Sequence, residues 1–88
     1  MAMYKLNYRR QARNYLARLP VTIKSKIINK LHAIKENPDD PTLDIDKLKG
    51  GEGYRLRVGQ YRIIYTRYDD QLIIEVVKIR SRGDIYRR

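Results

Sequence analysis

The sequence predicts an α+β domain, with two helices packed on one face of a mostly antiparallel four-stranded sheet. Segments that alternate polar and apolar residues lie at the start of the chain and in its C-terminal half. Helical periodicity lies between them, and a stretch rich in proline and aspartate separates the two halves. The 88 residues suffice for one modest core, so we expect a single domain over residues 1–88 with the order β-α-α-β-β-β.

The N-terminal half predicts one strand and a helical hairpin. Residues 4–8 alternate apolar and polar side chains, as a half-buried strand does. Apolar residues then recur at helical spacing up to Leu19, where Pro20 interrupts. Proline is tolerated in the first turn of a helix, so a second helix is predicted from about residue 20 to residue 36.

The C-terminal half predicts a loop and three strands. Helix breakers over residues 37–41 end the second helix and open a loop that reaches about residue 53. Short turns at residues 59–60 and 69–70 separate the strands. The predicted strands are residues 54–58, 61–68 and 72–79.

The hairpin formed by the first two of these strands gathers arginines on one face. Side chains alternate along a strand, so Arg55 and Arg57 point away from Leu56. A two-residue turn places Arg57 directly opposite Arg62, and like charges in that position destabilise a sheet. The hairpin therefore predicts an anion-binding surface.

The same alternation assigns the two faces of the sheet. The covered face is predicted to carry Leu56, Val58, Ile63, Tyr65, Ile74 and Val76. The other face is predicted to carry Arg55, Arg57, Arg62, Ile64, Glu75 and Val77. Because the chain is short, its helices can cover only one face of the sheet well. The face that carries the arginines is therefore open or forms a shallow cleft. For Glu75 we expect an ion pair with a nearby arginine rather than a role as general base.

Composition narrows the function classes. A net charge of +10 favours a polyanionic partner, most often a nucleic acid. The absence of cysteine excludes disulfides and thiolate chemistry and favours a reducing cytoplasm. No apolar run approaches the roughly 20 residues that span a bilayer, so no membrane partner is expected. The single histidine excludes a ribonuclease that works through a histidine pair.

Two motifs resemble a known family. The hairpin sequence YRLRVGQYR at residues 54–62 and the closing segment RGDIY at residues 82–86 look like parts of the RelE/ParE superfamily. Members of this superfamily are the toxins of prokaryotic toxin–antitoxin pairs, and the likeness is greatest to RelE. It extends over nearly the whole chain and agrees with the predicted order of elements.

The resemblance implies an activity and a site. RelE-type toxins are endoribonucleases that enter the ribosomal A site and cleave messenger RNA there. RNA carries its own nucleophile, the 2′-hydroxyl, so this cleavage needs no metal or other cofactor. The positions that act on the scissile phosphate in that group match Arg55, Arg57, Arg62, Arg82 and Tyr86 here.

Roles for these residues follow from their chemistry. A planar guanidinium can bind two phosphate oxygens, so we assign charge stabilisation to Arg62 and Arg82. Arg55 and Arg57 are expected to hold the RNA backbone and can help to protonate the leaving group. Tyr86 can stack on a base, orient the 2′-hydroxyl or transfer a proton. Arginine stays protonated in proteins, so it does not serve as a base. The base is therefore Tyr86, a bound water or a ribosomal group.

Two other functions stay open at this point. A ParE-like toxin inhibits DNA gyrase through protein contacts, without nuclease activity. A simple nucleic-acid-binding module would bind RNA with a steep salt dependence and not cut it. The toxin interpretations imply a cognate antitoxin, for which an acidic, partly disordered partner suits the basic surface. The RelE-like interpretation adds the ribosome and messenger RNA as partners.

Overall fold

The computed structural model describes residues 3–51 and 53–82, and this part of the chain confirms the predicted α+β class. None of the helices in these residues is long and apolar enough to cross a membrane. Two helices and five strands follow one another along the chain. They are β1 (Lys5–Tyr8), α1 (Arg10–Ala17), α2 (Val21–Glu36), β2 (Ile45–Lys47), β3 (Gly53–Val58), β4 (Tyr61–Tyr68) and β5 (Ile73–Ser81).

The strands form one sheet in the order β1-β5-β4-β3-β2. The pairing of β1 with β5 is parallel, and the other three pairings are antiparallel. Because β1 and β2 lie at opposite edges, the helical hairpin between them crosses one face of the sheet. The core between helices and sheet consists of Tyr4, Ala12, Leu16, Ile27, Leu31, Ile34, Leu56, Ile63, Tyr65, Ile74, Val76 and Ile79.

The hairpin of β3 and β4 has the predicted turn and register. Gly59 adopts a φ of 59°, the left-handed conformation that glycine tolerates and that suits the first position of a two-residue hairpin turn. Across the two strands Val58 lies opposite Tyr61, and Arg57 lies opposite Arg62. The turn therefore fixes which side chains meet on the open face.

Strand β2 corrects the prediction of a four-stranded sheet. The segment predicted as a loop includes Ile45–Lys47, which pairs antiparallel with β3. Three residues are too few to show an alternating pattern, and this edge strand exists because β3 offers it a hydrogen-bonding partner. Half-buried Ile45 lies opposite Leu56 and packs against the core, while Asp46 lies opposite Arg55.

A β-bulge in β5 changes the predicted assignment of faces. Ile64 on β4 lies opposite Lys78, whereas the next residue, Tyr65, lies opposite Val76, so that Val77 is an extra residue in the ladder. Strict alternation, which places Val77 on the open face, therefore does not continue along β5. Beyond the bulge Ile79 is fully buried on the covered face. Lys78 and Arg80 consequently face the open side.

An ion network ties the loop after α2 to the far end of the sheet. The Arg67 guanidinium, only 13% exposed, contacts Asp39 at 2.8 Å and Asp69 at 3.0 Å. The Tyr4 hydroxyl donates a 2.8 Å hydrogen bond to Asp69, and Arg67 also lies 5.6 Å from the centre of the Tyr54 ring. The hydrogen bonds from Arg67 and then Tyr4 lower the pKa of the Asp69 carboxyl.

This network predicts a specific dependence of stability on acid. Because the pKa of Asp69 is lower in the folded chain than in the unfolded chain, its stabilising contribution is complete above its ordinary pKa. The contribution is lost as the pH falls through the folded value. We therefore expect Asp69→Asn to flatten the decline in the free energy of unfolding between about pH 5 and pH 2, measured by urea denaturation. Asp70→Asn, in the same exposed turn, is the control; equal slopes in the wild type and Asp69→Asn would contradict the expectation.

Candidate phosphate-binding site

The open face of the sheet carries two rows of side chains that run across β3, β4 and β5. In the first row Arg57 lies opposite Arg62, and Arg62 lies opposite Arg80. In the second row Ile64 lies between Arg55 and Lys78. The antiparallel register therefore groups five cationic side chains, which are Arg55, Arg57, Arg62, Lys78 and Arg80.

A cavity of about 250 Å³ opens between these rows. Its lining is four cations around one apolar side chain, namely Arg55, Arg62, Lys78, Arg80 and Ile64. Guanidinium groups bind phosphate oxygens in pairs, and an ammonium adds a mobile point charge. The cavity is therefore suited to a phosphate group, with Ile64 offering an apolar surface to the adjoining part of a nucleotide.

Asp46 of the edge strand partly neutralises this face. Its Oδ2 lies 3.2 Å from Nη2 of Arg55 and 3.3 Å from Nη2 of Arg57. One carboxylate oxygen thus sits between two guanidinium groups, a position that a phosphate oxygen could share or take. Because Asp46 is close to half exposed, a ligand can compete with it for these donors.

Arg55 keeps one donor unused. Its Nε is buried, and within the described residues it has no hydrogen-bond partner. A buried donor without an acceptor costs roughly 1–3 kcal/mol. This cost favours any rearrangement of the Arg55 side chain that gives Nε an acceptor.

The structure brings together only some of the residues that the sequence singles out. Arg55 and Arg62 line the cavity, and Arg57 lies beside it on the same face. Arg82 follows β5, is exposed and is not among the lining residues; its backbone N–H donates a 2.8 Å hydrogen bond to the carbonyl of Gln60. Tyr86 lies outside the described residues.

Sequence reasoning missed Lys78 and Arg80. If strict alternation continued through β5 from Ile74 and Val76, both side chains would lie on the covered face. The signal that could have found them is the spacing of apolar residues, since Ile79 follows Val76 by three positions rather than two. Such a break in a strand indicates a bulge and a change of face.

Glu75 forms the expected ion pair. Its carboxylate accepts from Nε of Arg9 at 3.1 Å and from the Tyr68 hydroxyl at 3.4 Å. Arg9 directly precedes α1, so the pair connects the helical hairpin with the sheet. Glu75 is not among the residues that line the cavity.

Comparison with known proteins identifies the family. The model of the family described as ParE toxin of type II toxin–antitoxin systems matches residues 6–86. An Escherichia coli protein described as a RelE-like toxin is 31% identical over 85 residues, which is 94% of this chain and 90% of the relative. The chain belongs to the RelE/ParE toxin superfamily. The resemblance inferred from the two sequence motifs is thereby confirmed.

Solved toxin structures share the fold. The toxin aligns with a TM-score of 0.80 and 26% identity to a chain of the RelE–RelB complex from Pyrococcus horikoshii OT3, covering 94% of this chain and 98% of that one. For the RelB–RelE complex from Methanococcus jannaschii the TM-score is 0.74 at 27% identity, with 91% and 94% covered. These relatives match nearly the whole toxin.

Removing the Asp46 carboxylate tests whether it competes with an anion. We expect Asp46→Asn to raise the affinity of the toxin for a short fluorescent RNA up to about fivefold, because a partly exposed ion pair contributes at most about 1 kcal/mol. Fluorescence anisotropy at fixed ionic strength measures this. Asp44→Asn makes the same charge change at an exposed site just before β2, and an equal gain in both variants would indicate net charge alone.

Proposed function

We propose that the toxin is a metal-independent endoribonuclease that cleaves messenger RNA in the ribosomal A site and so inhibits translation. The observation that carries the proposal is the cavity in which Arg55, Arg62, Lys78 and Arg80 converge. Four cations that line one cavity on the open face suit a single phosphate, and the resemblance to RelE supplies the substrate class.

The proposed reaction uses the nucleophile of the substrate. The 2′-hydroxyl attacks the adjacent phosphorus, the bond from phosphorus to the 5′-oxygen breaks, and a 2′,3′-cyclic phosphate and a 5′-hydroxyl result. Negative charge builds up on the phosphate oxygens as the new bond forms. Arg62 is suited to stabilise this charge because it lies at the centre of its row, between Arg57 and Arg80.

The composition of the cavity supports dependence on the ribosome. Among the described residues, the cavity lining contains neither a carboxylate nor a histidine, so it lacks the usual general bases. In this proposal the proton of the 2′-hydroxyl passes to a bound water, to a ribosomal group or to Tyr86. Arg82 and Tyr86 follow β5 in the chain, and they retain the proposed roles of charge stabilisation and substrate orientation.

A second candidate is a ParE-like inhibitor of DNA gyrase without nuclease activity. The match to a family model described as ParE toxin favours it. This candidate does not need the convergence of cations on one cavity, because gyrase is inhibited through protein contacts. The two candidates differ in which nucleic acid is broken, messenger RNA or DNA.

Replacing Arg62 tests the nuclease proposal. We expect Arg62→Ala to reduce cleavage of messenger RNA by about 10²–10³-fold, because it removes a donor aimed at the developing charge. Primer extension on messenger RNA after induction of the toxin measures the cleavage, and circular dichroism checks the fold. Arg10→Ala removes the same charge from an exposed position on α1 and should leave cleavage unchanged.

Two results would count against this site. Undiminished growth arrest and messenger cleavage in Arg62→Ala would exclude Arg62 from the reaction. Intact messenger RNA together with broken DNA trapped on gyrase would replace the nuclease proposal by the ParE-like one.

The toxin is also proposed to bind a cognate antitoxin. The solved relatives from Pyrococcus horikoshii OT3 and Methanococcus jannaschii are toxin–antitoxin complexes. A net charge of +10 suits an acidic partner that is partly disordered before binding.

Coexpression provides the measurement for this partner. We expect the product of a small adjacent open reading frame to restore growth and to copurify with the toxin, because it covers the basic face. Growth arrest that persists with each neighbouring frame, without copurification, would argue against the pairing.

A further inference from the structure

We propose that Lys78 is the general acid that protonates the 5′-oxygen as it leaves. This inference rests on the proposed ribonuclease function and names a residue that the resemblance to RelE does not single out.

The bulge in β5 gives Lys78 its position. Because Val77 is an extra residue, Lys78 lies opposite Ile64 on the open face and lines the cavity with Arg55, Arg62 and Arg80. Within the described part of the chain, no carboxylate lies at ion-pairing distance from Lys78. Its ammonium is therefore available to a phosphate ester bound in the cavity.

Lysine supplies what the arginines of the cavity do not. A guanidinium binds the phosphate oxygens but gives up a proton only with difficulty. A lysine ammonium is also positively charged, but it releases a proton more readily than a guanidinium does. Among the described residues that line the cavity, only Lys78 combines attraction for the phosphate with a readily transferred proton.

Two proton transfers accompany the exchange of bonds at phosphorus. The 2′-oxygen forms a bond to phosphorus after its proton passes to the base. The bond between phosphorus and the 5′-oxygen breaks, and its electron pair stays on the 5′-oxygen. A proton then moves from Nζ of Lys78 to that oxygen, which leaves as a hydroxyl, and the neutral amine regains a proton from water.

A change of leaving atom tests this role directly. Ribosomes are programmed with a synthetic messenger RNA whose A-site codon carries either the natural 5′-oxygen or a sulfur in its place. A thiolate leaves without being protonated, so cleavage of the sulfur substrate does not need a general acid. The variant Lys78→Arg keeps the positive charge of the cavity but replaces the readily transferred proton by a tightly held one.

We expect Lys78→Arg to cleave the oxygen substrate about 10²-fold more slowly than the wild type, in line with the usual contribution of a positioned acid. On the sulfur substrate the variant should approach the wild-type rate. Lys5→Arg makes the same substitution at an exposed position of β1, outside the cavity, and should match the wild type on both substrates.

Three outcomes overturn the assignment. Wild-type rates for Lys78→Arg on the oxygen substrate show that no proton comes from Lys78. Equal losses on the two substrates show that the lysine binds or shapes the site instead. If the wild-type toxin cleaves neither substrate, the proposed function itself fails, and the assignment of Lys78 fails with it.

Discussion

The antiparallel ladder of β3, β4 and β5 is the constraint on which the rest of the structure depends. One face of this ladder is buried beneath α1 and α2, where Leu56, Ile63 and Ile79 are fully inaccessible to solvent. Burial of that face fixes the register, because a slip of one residue would turn the apolar side chains outward. The same register holds Arg57, Arg62 and Arg80 side by side on the opposite face, although their charges repel.

The core therefore stabilises an arrangement that the open face by itself disfavours. Asp46 partly relieves the repulsion by placing one carboxylate oxygen between two arginines, and it reaches them from an edge strand of only three residues. The buried Nε of Arg55 remains without an acceptor in the described chain. Cations that are not already paired within the described chain remain available to an anion.

The β-bulge in β5 also helps to form the cationic cavity. In a regular strand the alternation that buries Val76 would also turn Lys78 toward the helices, where an ammonium would be desolvated. The extra residue Val77 resolves this conflict and lets one strand contribute Ile79 to the core and two cations to the cavity. The Arg67 network at the other end of the sheet is separate from the cavity and anchors the loop that leads from α2 toward β2.

Much of this architecture follows from the sequence, because its determinants are local. Alternation and a two-residue turn depend on adjacent residues, so the class, the helical hairpin and the pairing of Arg57 with Arg62 were all predictable. Strand β2 and the bulge at Val77 were not, because each is defined by the neighbouring strand to which it bonds. The sequence by itself determined that the hairpin would gather arginines on one face, with Arg57 opposite Arg62. Only the tertiary structure decided that Lys78 and Arg80 line the cavity and that Asp46 contacts two of the arginines beside it. The reason is that strands distant in the chain must pair before these side chains meet.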